Sequence, residues 1–139
     1  MYFSYLLLTA FLATFSTVNG ECHRSGETWG GDKFAALEAA QRLCEDGTLG
    51  NIPYSRDAFR TACVNLSSKK KVDFTIIKGS NIINPTHLSS NICTAMLHKE
   101  INGCEHGGRS PQWENDGTTP QEASPQYDIS SDPNAGQCA

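Results

Sequence analysis

The sequence has no excess of positive charge, and this absence narrows the choice of partners. Lys and Arg together number 11 against 15 Asp and Glu, which gives a formal net charge of −4. An acidic chain is poorly suited to bind the phosphate backbone of a nucleic acid, so we predict no nucleic-acid partner. The one basic run is Lys69, Lys70 and Lys71. Its alternatives are a solvated loop tip and a contact for an anionic membrane or wall polymer.

Motifs for catalysis or metal binding are also missing. The sequence contains no Gly-x-Ser-x-Gly elbow, no phosphate-binding loop and no Cys-x-x-Cys pair. The four histidines include no pair at the i, i+4 spacing of a helical metal site. His98 and Glu100 lie two positions apart, so on a helix they point in different directions. We therefore predict no metal, no cofactor and no enzymatic activity, and a small secreted hydrolase or ribonuclease is the third hypothesis.

The sequence contains one long apolar run, at the start of the chain. Residues 6–15 are apolar and uncharged, which matches the hydrophobic region of a signal peptide and is too short to span a bilayer. Val18-Asn19-Gly20 places small or modest residues at the −3 and −1 positions of a cleavage site. The sequence thus predicts a signal peptide over residues 1–20 and an extracellular mature chain from Glu21. We expect no stable membrane insertion.

The predicted mature chain is notable for its cysteines. All six cysteines follow the predicted signal peptide: Cys22, Cys44, Cys63, Cys93, Cys104 and Cys138. An even number of cysteines in a secreted chain is typical of a disulfide framework. Six cysteines allow fifteen pairings, and spacing alone does not choose among them.

Cys93 and Cys104 lie on one predicted helix, about 16 Å apart along its axis. They are therefore too far apart to pair. We expect bridges that join separate elements, with a Cys104–Cys138 bridge as the hypothesis for the tail.

The hydrophobic pattern predicts one α+β domain over residues 21–139. Helices are predicted over residues 33–44 and 90–102, and alternating residues predict strands over 59–64 and 72–77, joined by a long polar loop. A weak first strand is expected near Trp29, and residues 105–139 are expected to be mostly loop with one weak final strand. This order is typical of a split βαβ sandwich, an antiparallel sheet with both helices on one face, stapled by disulfides.

Two further groups of residues are candidate surface sites. Asn65-Leu66-Ser67 is an N-glycosylation sequon, which we place in the exposed loop between the two strands. The aromatic residues Trp29, Tyr54, Trp113 and Tyr127 would form stacking platforms if they were exposed, and would otherwise fill the core or anchor the tail. Trp113 is the one we select as a candidate ligand contact.

Several segments resemble the smut-fungus killer toxins and the wider set of small cysteine-rich fungal secreted proteins, many of them candidate effectors. The segments are Ala62-Cys63-Val64, Asp73-Phe74-Thr75-Ile76, residues 97–108, and the two ends of the mature chain, 22–26 and 132–138. The resemblance implies an α/β sandwich. Glu105 to Gly108 stand where those toxins carry a further cysteine, so at least one family disulfide is expected to be absent. No active residue is carried over.

The resemblance and the absences together define the functional hypotheses. The leading one is a secreted, non-enzymatic and monomeric fungal effector, elicitor or toxin-like protein. It would act in the apoplast or on a competitor, through a host extracellular or cell-surface target. The alternative is a secreted protein that binds a cell-wall polysaccharide.

Overall fold

The computed structural model describes residues 21–79, 86–112 and 127–139, and these residues form an antiparallel sheet with two helices. The predicted signal peptide and Trp113 lie outside them. In chain order the elements are β1 (Glu21–Cys22), a 3-10 turn (Gly30–Asp32), α1 (Lys33–Glu45), β2 (Ile52–Tyr54), β3 (Phe59–Ser67), β4 (Lys70–Lys78), β5 (Thr86–Leu88), α2 (Ser90–Gly103), β6 (Gly108–Gln112) and β7 (Tyr127–Ala135).

The main sheet has the strand order β1-β6-β7-β4-β3, and every neighbouring pair is antiparallel. Short strands β2 and β5 pair with each other in a second, two-stranded sheet. The predicted α+β class, with an antiparallel sheet and two helices, is confirmed. Within this class, the first strand lies at the edge of the sheet and the C-terminal segment lies inside it.

The C-terminal segment is the largest departure from the prediction, because its described residues contain two strands, β6 and β7, where one weak strand was expected. Strand β7 spans nine residues and pairs along its length with β4, while β6 pairs with its other side. The segment contains Asp128, Asp132, Pro133 and Asn134, residue types that are depleted in strands. Pro133 lies beyond the residues that pair with β6, where a proline removes fewer ladder hydrogen bonds.

The β3–β4 hairpin is longer than predicted and its turn is shorter. Only Ser68 and Lys69 separate the two strands, and the register shifts once, between Asn65 and Ser67. The sequon at Asn65 therefore lies in strand β3 and not in a loop, because pairing with β4 continues through the polar residues that the prediction had assigned to the connection.

Both helices form where predicted, and α1 buries a face of small side chains. Ala36, Ala40 and Cys44, at i, i+4 and i+8, are fully buried, whereas Phe34 is 70% exposed. The Cys44–Cys93 disulfide joins α1 to α2. It orients the face of α1 that carries Ala36 and Ala40 toward α2. Ser89 caps α2 as predicted, since its side chain accepts a hydrogen bond from the Ile92 N–H.

Three disulfides join distant parts of the chain, and the described residues contain no free cysteine. The pairs are Cys22–Cys104, Cys44–Cys93 and Cys63–Cys138, with sequence separations of 82, 49 and 75 residues. The predicted Cys104–Cys138 bridge is wrong: Cys104 lies beside the N-terminal strand, and the C-terminus returns to β3. The expectation that bridges join separate elements is confirmed, as is the expectation that Cys93 and Cys104 do not pair.

The core lies between the two helices and one face of the sheet. Alternate residues of β4 and β7 point into it, among them Phe74, Ile76, Tyr127 and Ile129, each at most 1% exposed. Helix α2 supplies Leu97 and Ile101 and other apolar residues from above. In the described part of the chain, no helix combines the length and the apolar character needed to cross a bilayer.

Candidate binding face of the sheet

The face of the sheet that points away from the helices is polar, and we refer to it as the outer face. It follows from strand alternation, because residues next to those in the core point the opposite way and cross-strand partners share a face. On this basis the outer face consists of Glu21, His23, Phe59, Thr61, Cys63, Asn65, Lys71, Asp73, Thr75, Ile77, Arg109, Pro111, Asp128, Ser130, Asp132 and Asn134.

One row of hydrogen-bonding side chains crosses all five strands of the outer face. The register places side by side, from one edge of the sheet to the other, Thr61, Thr75, Ser130, Arg109 and Glu21. Directly opposite residues in an antiparallel pair have their Cβ atoms about 4.5–5.5 Å apart. The outer face therefore presents a continuous polar row, which is well suited to an extended polar ligand.

A hydrogen bond joins the side chains of His23 and Asp132 at one side of this row. The His23 Nε2 atom lies 2.6 Å from Asp132 Oδ1, and the His23 side chain is 46% exposed against 26% for Asp132. Burial raises the pKa of Asp132, while the hydrogen bond from His23 acts in the opposite direction. The pair fastens the segment after β1 to the centre of β7.

The position of His23 depends on Gly107. The His23 N–H donates to the Gly107 carbonyl over 2.9 Å. Gly107 has a φ of +75°, and a Cβ there would lie 2.4 Å from the Ser131 carbonyl oxygen. Only glycine fits this left-handed backbone and this close approach.

Asp73 lies directly opposite Asp132 on the neighbouring strand. Its carboxylate accepts a hydrogen bond from the Asn134 amide over 2.7 Å and lies 3.6 Å from the Lys71 ammonium. The negative charge of Asp73 further raises the pKa of Asp132. Lys71 and His23 thus flank two adjacent acidic side chains, and each provides a polar contact to one of them.

Arg109 and Asp128 form the second ion pair of the outer face. The Arg109 Nε–H donates to both Asp128 carboxylate oxygens at 2.9 Å, and one Nη2–H donates to Oδ2 at 2.5 Å. This pairing raises the pKa of Arg109. A guanidinium held by two nitrogens has a fixed plane, and its remaining N–H groups keep fixed directions.

A cleft of about 770 Å³ opens at the same end of the sheet. Its walls are residues 21–24 of the N-terminal segment, residues 109–111 of β6, and Asp128. Small-molecule sites typically have volumes of about 300–1,000 Å³, so the cleft is large enough for an organic ligand. The Cys22–Cys104 disulfide fixes its N-terminal wall to the end of α2.

The predicted lysine run does not form one cationic patch. Lys70 lies 3.3 Å from Asp32, on the side of the helices, while Lys71 pairs with Asp73 on the outer face. Lys69 is exposed in the hairpin turn. Alternation along β4 sends neighbouring side chains to opposite faces, so the three ammonium groups do not converge on a single ligand.

Three of the four predicted stacking aromatics are buried. Trp29 is 2% exposed, and its indole Nε1–H donates to the Cys104 carbonyl over 2.7 Å. Tyr54 and Tyr127 are at most 1% exposed and meet edge to face, with ring centroids 5.7 Å apart. They fill the core, and Trp113 lies outside the described residues.

His98 and Glu100 are separated as their spacing predicts. The His98 Nε2 atom lies 2.8 Å from the Leu37 carbonyl oxygen, which ties α2 to α1. Glu100 is 4% exposed and accepts a hydrogen bond from the Ser110 hydroxyl beneath β6. Burial raises the pKa of Glu100. The two residues play separate packing roles and do not form an acid–base pair.

The sequence did not reveal this site, because its walls come from β1, β6 and β7, whose local patterns are weak. His23 was noted only as a possible metal ligand, and Arg109, Asp128 and Asp132 lay in the segment expected to be loop. The alternation of Tyr127, Ile129, Ser131 and Pro133 was the available signal for β7. Within the described ranges, no three His, Cys, Asp or Glu side chains are grouped so that they could hold a metal ion.

Comparison with known proteins finds no matching family model and no significantly similar curated protein. The resemblance to killer toxins and fungal effectors therefore stays a prediction. Three disulfides in a small domain are typical of secreted proteins.

Proposed function

We propose that the chain is a secreted fungal protein that acts without catalysis on a target outside the cell, as an effector, elicitor or toxin-like antagonist. The observation that carries the proposal is the placement of the disulfides. One bridge joins the first strand to the end of α2, another joins the two helices, and the third joins β3 to the C-terminus. All three close long loops.

This arrangement suits a protein that must persist among extracellular proteases. Closing a loop of 49–82 residues stabilises a fold by about 4 kcal/mol in the chain-entropy model. Proteolysis of a folded domain usually proceeds through its opened states. A fold whose two ends and two helices are all covalently joined opens rarely, so its lifetime outside the cell is expected to be long.

The outer face supplies the surface for recognition. Its charged groups are arranged in pairs, with His23 beside Asp132 and Arg109 beside Asp128. Paired charges on a rigid sheet favour a specific partner over non-specific adsorption, because register and geometry must match. The predicted signal peptide and the resemblance to fungal secreted proteins support an extracellular site of action.

Leaf infiltration tests this proposal. The mature protein, residues 21–139, is purified with its disulfides formed and infiltrated into leaves, with protein reduced and alkylated at all six cysteines as the matched control. We expect cell death or defence-gene induction from the oxidised protein only. In parallel, the protein is added to competing fungi, and the deletion strain is scored for infection. No response in any leaf, no growth inhibition and unchanged infection would together refute the proposal.

A further inference from the structure

We propose that the cleft beside β1 binds a neutral saccharide, through the Arg109–Asp128 pair on the outer face. This inference rests on the extracellular role proposed above and names the ligand class for that surface. Three observations carry it: the charges of both signs in the cleft, the fixed geometry of the ion pair, and the polar row that continues from the cleft across the sheet.

The charges that line the cleft are of both signs. Arg24 and Arg109 contribute two side-chain cations, Glu21 and Asp128 contribute two side-chain anions, and the imidazole of His23 also lines the cleft. In the predicted mature chain the amino group of Glu21 adds a further cation. A strongly anionic ligand would have to lie against both carboxylates, and a strongly cationic ligand against both guanidinium groups. Like charges in contact are costly at an interface. The cleft is thus best matched by a ligand with no net charge.

The Arg109–Asp128 pair selects for hydroxyl groups. The Arg109 Nε–H and one Nη2–H are committed to Asp128. A guanidinium carries five N–H donors, so both Nη1–H groups and the second Nη2–H remain to donate. The Asp128 oxygens keep lone pairs that can accept. A hydroxyl both donates and accepts, so adjacent hydroxyls on a sugar ring can bond to both partners without breaking the ion pair.

The surroundings of the pair also fit a sugar ring and a chain of them. Pro111 pairs directly with Asp128 across the strands and offers an apolar ring surface beside the donors and acceptors. From Arg109 the polar row continues through Ser130 and Thr75 to Thr61 at the far edge. Further residues of an oligosaccharide would lie along this row, where hydroxyl side chains replace charged ones.

Binding is tested with the mature protein carrying any tag after Ala139, because Glu21 lines the cleft. Neutral probes are hexamers of cellulose and xylan for plant walls, and of chitin and β-1,3-glucan for fungal walls. A galacturonate hexamer and inorganic phosphate test anionic ligands. Calorimetry measures affinity, and the NMR signal of the Arg109 Nε–H locates the site. We expect one neutral hexamer to bind, to shift that signal, and to bind equally well at low and high salt.

The key variant is Arg109→Lys, which keeps the charge and loses the planar fork. Its matched control is Arg56→Lys, in an arginine–aspartate pair with Asp57 that lies outside the cleft. We expect at least a tenfold loss of saccharide affinity for Arg109→Lys and no change for Arg56→Lys. Asp128→Asn, which keeps the shape and removes the anion, should also weaken binding.

Three results would overturn the inference: no neutral hexamer binds, the galacturonate or phosphate binds more tightly than every neutral probe, or both arginine variants behave alike. These outcomes are distinct from failure of the proposed function. A protein that is active in leaves or against fungi and binds no saccharide refutes only the ligand class. A protein that binds a saccharide and has no biological effect refutes only the effector role.

Discussion

The two faces of the main sheet come from the same strands but follow different physical rules. The inner face is apolar and packed under the helices, with Phe74 and Ile76 fully buried. One residue away on each strand, Asp73, Thr75 and Ile77 lie on the outer face and are partly exposed. The inner face holds the fold together mainly by the hydrophobic effect. The outer face is held by ion pairs and hydrogen bonds that contribute less to stability.

The comparison shows how a small domain can keep a functional surface without weakening its core. Most ionic groups on the outer face have a partner on the same face, as Arg109 has in Asp128. Substitutions there should leave the fold nearly intact. The inner face also buries four polar side chains, those of Lys78, Ser110, Gln112 and Ser131. Substitutions on this face should disturb packing throughout the domain.

The largest effect is expected from removing the disulfide inside the core. Replacing both Cys44 and Cys93 by Ala should lower the free energy of unfolding by about 4 kcal/mol, because the unfolded chain gains loop entropy. The loss should be larger still because both cysteines are fully buried. The close fit of Gly50, where a Cβ would lie 2.8 Å from Cys93 Sγ, leaves little freedom to repack. Guanidinium unfolding measures the loss.

The outer-face disulfide is the control for that experiment. Replacing Cys63 and Cys138 by Ser removes a bridge that closes a longer loop, of 75 residues rather than 49. Since Cys63 is exposed, no core packing is lost with it. We expect the outer variant to be the more stable of the two. A larger loss for the outer pair would show that loop entropy, and not packing, separates the two faces.

The next largest difference in stability is expected between substitutions at two neighbouring residues of β4. Phe74→Ala should destabilise the fold by about 3–5 kcal/mol through lost burial and the cavity that remains. Thr75→Ala, one residue away on the outer face, should change stability by about 0.5 kcal/mol or less. Both are read from urea unfolding curves. Equal losses would mean that the outer face is covered and packed in solution.

A smaller, pH-dependent effect is expected at Glu100. Burial raises the pKa of this carboxyl group above its ordinary value. The protonated form is therefore favoured in the folded state. The resulting stability is present below the unfolded pKa and is lost as the pH rises through the folded pKa. The wild type should melt at a lower temperature at neutral pH than near pH 4.

Glu100→Gln should remove most of this difference. The amide oxygen can still accept the hydrogen bond from Ser110, and no charge forms beneath β6 at neutral pH. Asp132, whose pKa is also raised by burial, titrates in both proteins and cancels in the comparison. Melting temperatures that fall equally with pH in the two proteins would exclude Glu100 as the source.

The smallest effect is expected at the sequon. The Asn65 Oδ1 atom accepts a hydrogen bond from the Cys138 N–H over 2.7 Å, and its amide nitrogen remains available for a glycan. Asn65→Gln should abolish any glycan and shift stability by about 0.5 kcal/mol or less. Intact mass before and after enzymatic deglycosylation detects the modification. An unchanged mass for the wild type would refute glycosylation at this site.

The predictable parts of the fold share a strong local signal. Helix α2 has a broad apolar stripe and a serine cap, and β4 alternates cleanly between apolar and polar residues. Such patterns predict the type of an element from its local sequence alone. Strand β7 has weak local propensity, with Asp, Ser, Pro and Asn inside it. It exists because β4 and β6 pair with both its sides, and this tertiary context overrides propensity.

The candidate site was beyond prediction for the same reason. His23 and Asp132 are separated by 109 positions and meet only because β1, β6 and β7 are neighbours in the sheet. The aromatics selected for stacking are buried because Tyr54 and Tyr127 pack against each other across two distant segments. Their residue type suggested ligand contacts, whereas in the folded chain these side chains pack in the core.

The sequence by itself determined the α+β class, the two helices, the β3–β4 hairpin and the expectation that disulfides would join separate elements. These follow from periodicity and cysteine count, which act over short distances or through composition. The tertiary structure decided which cysteines pair, where the C-terminal strand lies and which face of α1 is buried. Each of these depends on the relative free energies of whole-chain arrangements, because a contact between Cys22 and Cys104 or between Cys63 and Cys138 has no local signature.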